Sequence, residues 1–181
     1  MAAADPRIEQ ALGALTGARA AKGIVELGSR TSIVVSPLWA GAGGSAVFNR
    51  VNLPRWAMDA PRWQLAALVA HELVHVRQGI RFFGSIDTER EAYIVQRKVE
   101  IELLKRQKPQ PENEILCRQD DIRVLESGFG PAREWICKQG PLYARFPDEL
   151  PKWWQVTRWW PQVGHAIRLA VGGRKLKGGA A

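Results

Sequence analysis

The stretch "AALVAHELVHVRQG", residues 66–79, forms most of a long predicted helix that starts near Pro61 and stops before Gly79. The apolar run up to the first histidine predicts that this helix lies in the core rather than on the surface. His71 and His75 are four residues apart, so on a helix they project from one face about one turn apart. Two imidazoles placed in this way can both reach one tetrahedral zinc ion, at about 2.0–2.1 Å each.

Glu72 directly follows the first histidine of the HELVH pattern. A carboxylate in that place lies beside the metal, where it can take a proton from a water that the metal has acidified. Five residues of which three are fixed also occur by chance in many proteins. Whether HELVH indicates a zinc site therefore depends on the neighbouring residues and on a third ligand elsewhere in the chain.

A second helix is predicted over residues 89–107, directly after a short loop. Glu89 lies at the N-terminal end of its apolar stripe, beside the side that we expect to be buried. Ala92 follows three residues later on the same face, and its small side chain would let the two helices pack closely. The remaining stripe positions are Val95, Val99 and Leu103.

HELVH together with EREA resembles the gluzincin branch of the zincin superfamily of metallopeptidases. In that branch the third zinc ligand is a glutamate on the helix after the histidine helix, in some members within an E-x-x-A pattern. The resemblance implies Zn²⁺ held by His71, His75 and Glu89, with Glu72 as the general base of peptide-bond hydrolysis. It covers about residues 46–100.

Glu91 is the alternative third ligand, because in some members of that branch the ligand directly precedes a small residue, as Glu91 precedes Ala92. Thr88 and Glu91 also have the spacing of a capping box, which gives Glu91 a structural explanation. The sequence therefore favours Glu89 and leaves Glu91 open. Several relatives place Asp or Asn four residues after the ligand to orient a histidine. Tyr93 stands there in this chain, and its hydroxyl is the candidate for the contact that orients a histidine.

The resemblance also implies a further donor for the oxyanion that forms during hydrolysis. Tyr143 is the choice here, over Tyr93 and His165. In zincins the substrate lies extended along an edge strand upstream of the histidine helix. Residues 46–53, predicted as one strand, are the candidate for that role, especially 47–49.

The predicted elements give an α+β fold with a minimal zincin-like core followed by a mostly helical C-terminal part. Upstream, a helix over residues 6–21 with Asp5 as N-cap precedes a strand over 31–39. The predicted units are a catalytic core, a helical subdomain with a Trp-rich segment, and a flexible basic tail, over residues 1–107, 108–172 and 173–181.

The 181 residues carry a formal net charge of +8, of which the six basic and no acidic residues after Leu150 supply most. The N-terminal residues lack the apolar core of a signal peptide, and no stretch approaches the roughly 18 apolar residues of a membrane span. We therefore expect a cytoplasmic protein. Cys117 and Cys137 lie outside any CxxC pair, and the sequence leaves their pairing open.

The leading functional hypothesis is a zinc metallopeptidase acting on a peptide or protein substrate. The alternative is a non-enzymatic zincin-like binding module, whose basic, Trp-rich C-terminal part contacts a protein, a membrane surface or nucleic acid. Residues 61–104 balance six positive against six negative charges, which argues against a nucleic-acid surface on the two central helices. The substrate and the oligomeric state are not determined by these patterns.

Overall fold

The computed structural model describes residues 5–36, 44–47, 49–79 and 84–149. This part of the chain contains both helices and a small mixed sheet, which confirms the α+β class. The helices are α1 (Pro6–Thr16), α2 (Val25–Gly28), α3 (Arg62–Arg77), α4 (Ile86–Leu104), α5 (Glu112–Glu126) and α6 (Phe129–Gln139). The strands are β1 (Ser32–Val35), β2 (Ser45–Val47) and β3 (Arg50–Leu53). The Trp-rich segment, His165 and the basic tail lie outside the described residues.

Helix α1 is shorter than the predicted helix over residues 6–21. Its start is as predicted, because the Asp5 side chain accepts a hydrogen bond from the Arg7 amide at 2.9 Å. It ends at Thr16, before Gly17, and the chain continues as a separate 3₁₀ turn over Arg19–Ala21. Glycine lowers helix stability, so the helix ends before Gly17. The apolar residues beyond Gly17 keep the helical spacing that led to the longer prediction, but they are not part of α1.

The prediction of a single strand over residues 46–53 is wrong. Strands β2 and β3 are two short antiparallel strands, and Asn49 lies in a turn between them. Asparagine favours turns because its side chain bonds locally to the backbone. Strand β1 pairs in parallel with β3, so the order is β1-β3-β2 and β2 lies at an edge of the sheet.

Helix α3 is the centre of the main core. All residues from Leu65 to His75 are buried, because α1, α2, α4 and strand β2 pack around it. A helix that is enclosed on every side has no polar face, so its apolar residues need not follow a single stripe. The end is as predicted, since Gly79 follows the helix with φ of 66°.

Helix α4 lies between two apolar clusters. Ala92, Val99 and Leu103 pack into the main core with α3. On another side, Ile86 and Tyr93 pack with residues of α5 and α6. The unit boundary after residue 107 stays a prediction.

Both cysteines are free, with Cys117 exposed and Cys137 partly buried. Among the described helices, none is both long enough and apolar enough to cross a membrane.

Candidate metal centre

His71 and His75 project from the same face of α3 and bring their Nε2 atoms 3.0 Å apart. The two rings meet edge to face, with centroids 4.7 Å apart. Both side chains are buried, at 4 % and 6 % exposure. Burial of two facing imidazoles is costly unless their nitrogens find partners.

Glu89 completes a cluster with the two histidines from the first turns of α4. Its Oε2 lies 3.4 Å from His71 Nε2, and its Oε1 lies 3.4 Å from His75 Nε2. The carboxylate is itself only 6 % exposed. One donor atom from each of the three side chains lies within 4.8 Å of the other two.

The separations of these donor atoms suit a metal ion. Ligand atoms at about 2.05 Å from a tetrahedral ion lie about 3.3 Å from each other. The observed separations are 3.0, 3.4 and 3.4 Å. Among the described residues, Glu89 Oε2 has no hydrogen-bond partner although it is buried, and a bound ion would supply one. The His71–His75–Glu89 group could therefore hold a metal ion.

Helix α4 begins with a capping box that involves neither glutamate. Ser85 is the N-cap, and its hydroxyl and that of Thr88 form a reciprocal capping box at this end. The predicted box of Thr88 with Glu91 is therefore wrong, because the helix begins three residues earlier than expected. Glu89 lies one turn before the fully buried Ala92, on the face of α4 that packs against α3.

Glu91 lies away from the cluster, on the exposed side of α4. Its carboxylate pairs with Arg77 Nη2 at 2.5 Å and accepts a hydrogen bond from Gln78 Nε2 at 2.6 Å. The structure thus brings Glu89, and not Glu91, to the two histidines.

Burial and the neighbouring charges shift the pKa values of His75 and Glu89. Burial alone would lower the pKa of His75, but Glu89, together with Glu72 and Gln78, raises that pKa from 6.5 to about 9. Burial alone would raise the pKa of Glu89, yet His75 and His71 lower it to about 2. The two groups favour an ion pair when no metal neutralises the carboxylate.

Glu72 lies on α3 beside the cluster and is 3 % exposed. Burial raises the pKa of its carboxyl above 4.5, although His71 and His75 oppose the shift. Gly44, directly before β2, contacts this carboxylate so closely that a Cβ there would lie 2.7 Å from Glu72 Cδ. Glu72 Oε2 has no protein partner among the described residues.

Tyr93 lies next to His71, and Tyr143 lies next to Tyr93. The Tyr93 ring packs edge to face on His71, with centroids 4.6 Å apart, and its hydroxyl donates to the Tyr143 hydroxyl at 3.0 Å. The predicted contact of the Tyr93 hydroxyl with a histidine is therefore wrong, because that hydroxyl faces Tyr143 instead. Burial, with Glu89 nearby, raises the pKa of Tyr143, so this hydroxyl keeps its proton.

Two residues of the site were not assigned a role from the sequence. Gln78 contacts His75, since its Oε1 lies 2.9 Å from His75 Nδ1. Its position one turn after His75 on the same face was the available signal. No signal in the sequence pointed to Gly44, because the GAGGS stretch indicated only a turn.

Comparisons of the chain with models of protein families, with curated proteins and with solved structures found no match. Any function for this protein is therefore inferred from the residues of the site and from their geometry.

Proposed function

We propose that this protein is a zinc-dependent metallopeptidase. The observation that carries the proposal is the buried convergence of His71, His75 and Glu89, with Glu72 on the same turn of α3. Two imidazole nitrogens and one carboxylate oxygen are a donor set found in catalytic zinc sites, which use three protein ligands. When bound, the ion would act as a Lewis acid that acidifies a water and polarises a carbonyl.

Glu72 would be the general base. Its Oε2 has no protein partner among the described residues, so it is available to a water. Burial raises the pKa of Glu72, which makes the ionised carboxylate a stronger base than an exposed one. Glu72 would take the proton of the attacking water and then deliver it to the leaving amine.

Tyr143 would donate a hydrogen bond to the carbonyl oxygen as negative charge develops on it. Its hydroxyl accepts the hydrogen bond from Tyr93, which leaves its own proton free to be donated. Tyr93 would act through Tyr143, as a positioning residue.

The substrate would lie extended along β2, as an added strand. Strand β2 is an edge of the described sheet, and it follows Gly44, which contacts Glu72. Within the described residues, an edge of the sheet therefore lies next to the residue that would act as the general base. Phe48, within the stretch 47–49 that the sequence favoured for this role, lies outside the described residues.

The test measures zinc and hydrolysis separately. Purified protein should contain about one zinc per chain and cleave members of a peptide library, and chelation should abolish cleavage. Glu72→Gln should keep the zinc and lose hydrolysis, since the amide cannot accept the proton. Glu134→Gln on the exposed face of α6 is the matched control and should change neither.

Two results would contradict the proposal. Less than about 0.1 zinc per chain after growth with zinc would exclude the metal centre. Undiminished hydrolysis by zinc-loaded Glu72→Gln would exclude the assigned base. Zinc binding without cleavage of any peptide would instead support the binding module.

A further inference from the structure

The side-chain amide of Gln78 has a defined orientation. Its Nε2 donates to the Thr88 carbonyl oxygen at 3.1 Å and to Glu91 Oε2 at 2.6 Å. Both partners are acceptors only, so the amide atom that faces them must be the nitrogen. The other amide atom, which faces His75, is therefore the oxygen.

This oxygen determines which nitrogen of His75 carries a proton. It lies 2.9 Å from His75 Nδ1, and an amide oxygen can only accept a hydrogen bond. Nδ1 must therefore carry the proton, which leaves Nε2 of the neutral ring with its lone pair. Nε2 is the atom that lies 3.4 Å from Glu89 Oε1, within the proposed zinc site.

Glu91, which accepts the hydrogen bond from Gln78, is itself held in place by Arg77. Glu91 Oε1 accepts from Arg77 Nη2 at 2.5 Å, while Glu91 Oε2 accepts from Gln78. The chain of contacts Arg77–Glu91–Gln78–His75 thus links the end of α3 to α4. His71 differs, because its Nδ1 has no partner among the residues that the structure describes.

We propose that Gln78 is a positioning residue that holds the His75 ring with Nε2 towards the ion, and that Glu91 orients Gln78. The inference rests on the proposed function, since it takes His75 as a zinc ligand. It gives Glu91 a role in the outer shell of the site in place of the ligand role that the sequence left open. Outer-shell partners of metal-bound histidines fix the tautomer and the orientation of the ring.

The first test measures zinc affinity by competition with a chelator. Gln78→Ala should weaken zinc binding by about 10- to 100-fold, the usual cost of losing an outer-shell partner. Gln64→Ala, on the first turn of the same helix, is the matched control and should bind zinc as the unmutated protein does. Equal affinity of Gln78→Ala and Gln64→Ala would overturn the inference, although the zinc site itself would stand.

The second test needs no metal and is therefore independent of the proposed function. In the NMR spectrum of the metal-free protein, the Nδ1 proton of His75 should be visible and protected from exchange, because Gln78 accepts it. The signal should broaden or vanish in Gln78→Ala and remain in Gln64→Ala. Absence of this proton from the unmutated protein would overturn the inference whether or not zinc binds.

A double variant that exchanges the side chains at 78 and 91 tests whether Gln78 acts by orienting His75 or only by stabilising the fold. In Gln78→Glu with Glu91→Gln, the new carboxylate at 78 can accept from His75 Nδ1 while the new amide at 91 donates to it. The net charge is unchanged, but the new carboxylate cannot donate to the Thr88 carbonyl oxygen, so the double variant should recover part of the zinc affinity that Gln78→Ala loses. Affinity no better than that of Gln78→Ala would contradict the assigned contact.

Discussion

The His75–Glu89 pair is a buried ion pair that a metal ion would replace. Glu89 raises the pKa of His75 to about 9, and the histidines lower the pKa of Glu89 to about 2. The stabilising effect of the His75 proton on the metal-free protein is complete below pH 6.5 and is lost as the pH rises through about 9. The effect of Glu89 is present above pH 4.5 and is lost as the pH falls through about 2.

Zinc binding should therefore release a proton. At pH 7.5 Glu89 is already ionised, whereas His75 must lose about one proton before its nitrogen can bind the ion. Affinity should rise with pH up to about 9 and then level off. Isothermal titration calorimetry in two buffers of different ionisation enthalpy measures the protons released. Binding without proton release at pH 7.5 would show that His75 is already neutral at this pH, which would contradict its ion pair with Glu89.

The two glutamates of EREA should respond differently to substitution. Glu89→Ala removes a ligand, so zinc affinity should fall by more than the roughly 10- to 100-fold cost of losing an outer-shell contact. Glu91→Ala removes only one of the two acceptors that hold Gln78, so its effect should stay below that of Gln78→Ala. Chelator competition on both variants compares them. A larger loss from Glu91→Ala would identify Glu91 as the ligand.

At the scale of elements, the approach of β2 to α3 shapes the space around Glu72. Gly44 contacts the Glu72 carboxylate, and any side chain there would overlap it. Glu72 is buried, so its carboxylate has little room to move aside. The glycine thus lets strand β2 and the turn of α3 that carries Glu72 lie together.

Gly44→Ala should reduce peptide hydrolysis strongly while zinc content stays near one per chain. The added methyl displaces Glu72 and leaves the three ligands in place. Gly13→Ala within α1 is the control, because a Cβ there meets nothing within 4 Å and should stabilise the helix by about 0.5–1 kcal/mol. Peptide cleavage rates and zinc analysis of both variants check this. Full activity of Gly44→Ala would contradict the placement of Glu72.

Across the whole molecule, a buried charge network joins α4 to the helical half of the described chain. Glu100 is 1 % exposed and pairs with Arg97 at 2.8 Å and with Arg118 of α5 at 2.6 Å. Arg97 also pairs with Asp121 at 2.9 Å and lies over the Trp135 ring of α6. These pairs hold α4, the helix that carries Glu89, against α5.

Glu100→Ala should lower the free energy of unfolding by about 3–5 kcal/mol, because it leaves Arg97 and Arg118 without their buried partner. Glu126→Ala is the matched control, since it also removes a contact between α5 and α4. That pair with Lys98 is about half exposed, so its loss should cost less than about 1 kcal/mol. Denaturant unfolding of both variants measures the difference. Equal costs would show that the buried network does not stabilise the helix pair.

Features that depend on neighbours within a few residues were determined by the sequence itself. The spacing of His71 and His75 puts them on one helical face wherever the helix lies, and Asp5 and Gly79 mark helix ends by local hydrogen bonding and backbone preference. Helix α3 therefore agreed with its prediction to within a residue or two.

Other features were decided only by the tertiary structure, because they depend on contacts between distant segments. Two residues along a helix rotate a side chain by about 200°, so the face of α4 that packs against α3 carries Glu89 and not Glu91. The antiparallel pairing of β2 with β3 divides the predicted single strand, and the close contact of Gly44 with Glu72 joins segments 28 residues apart. Local spacing thus determined that two histidines face one point, and packing decided which carboxylate meets them there.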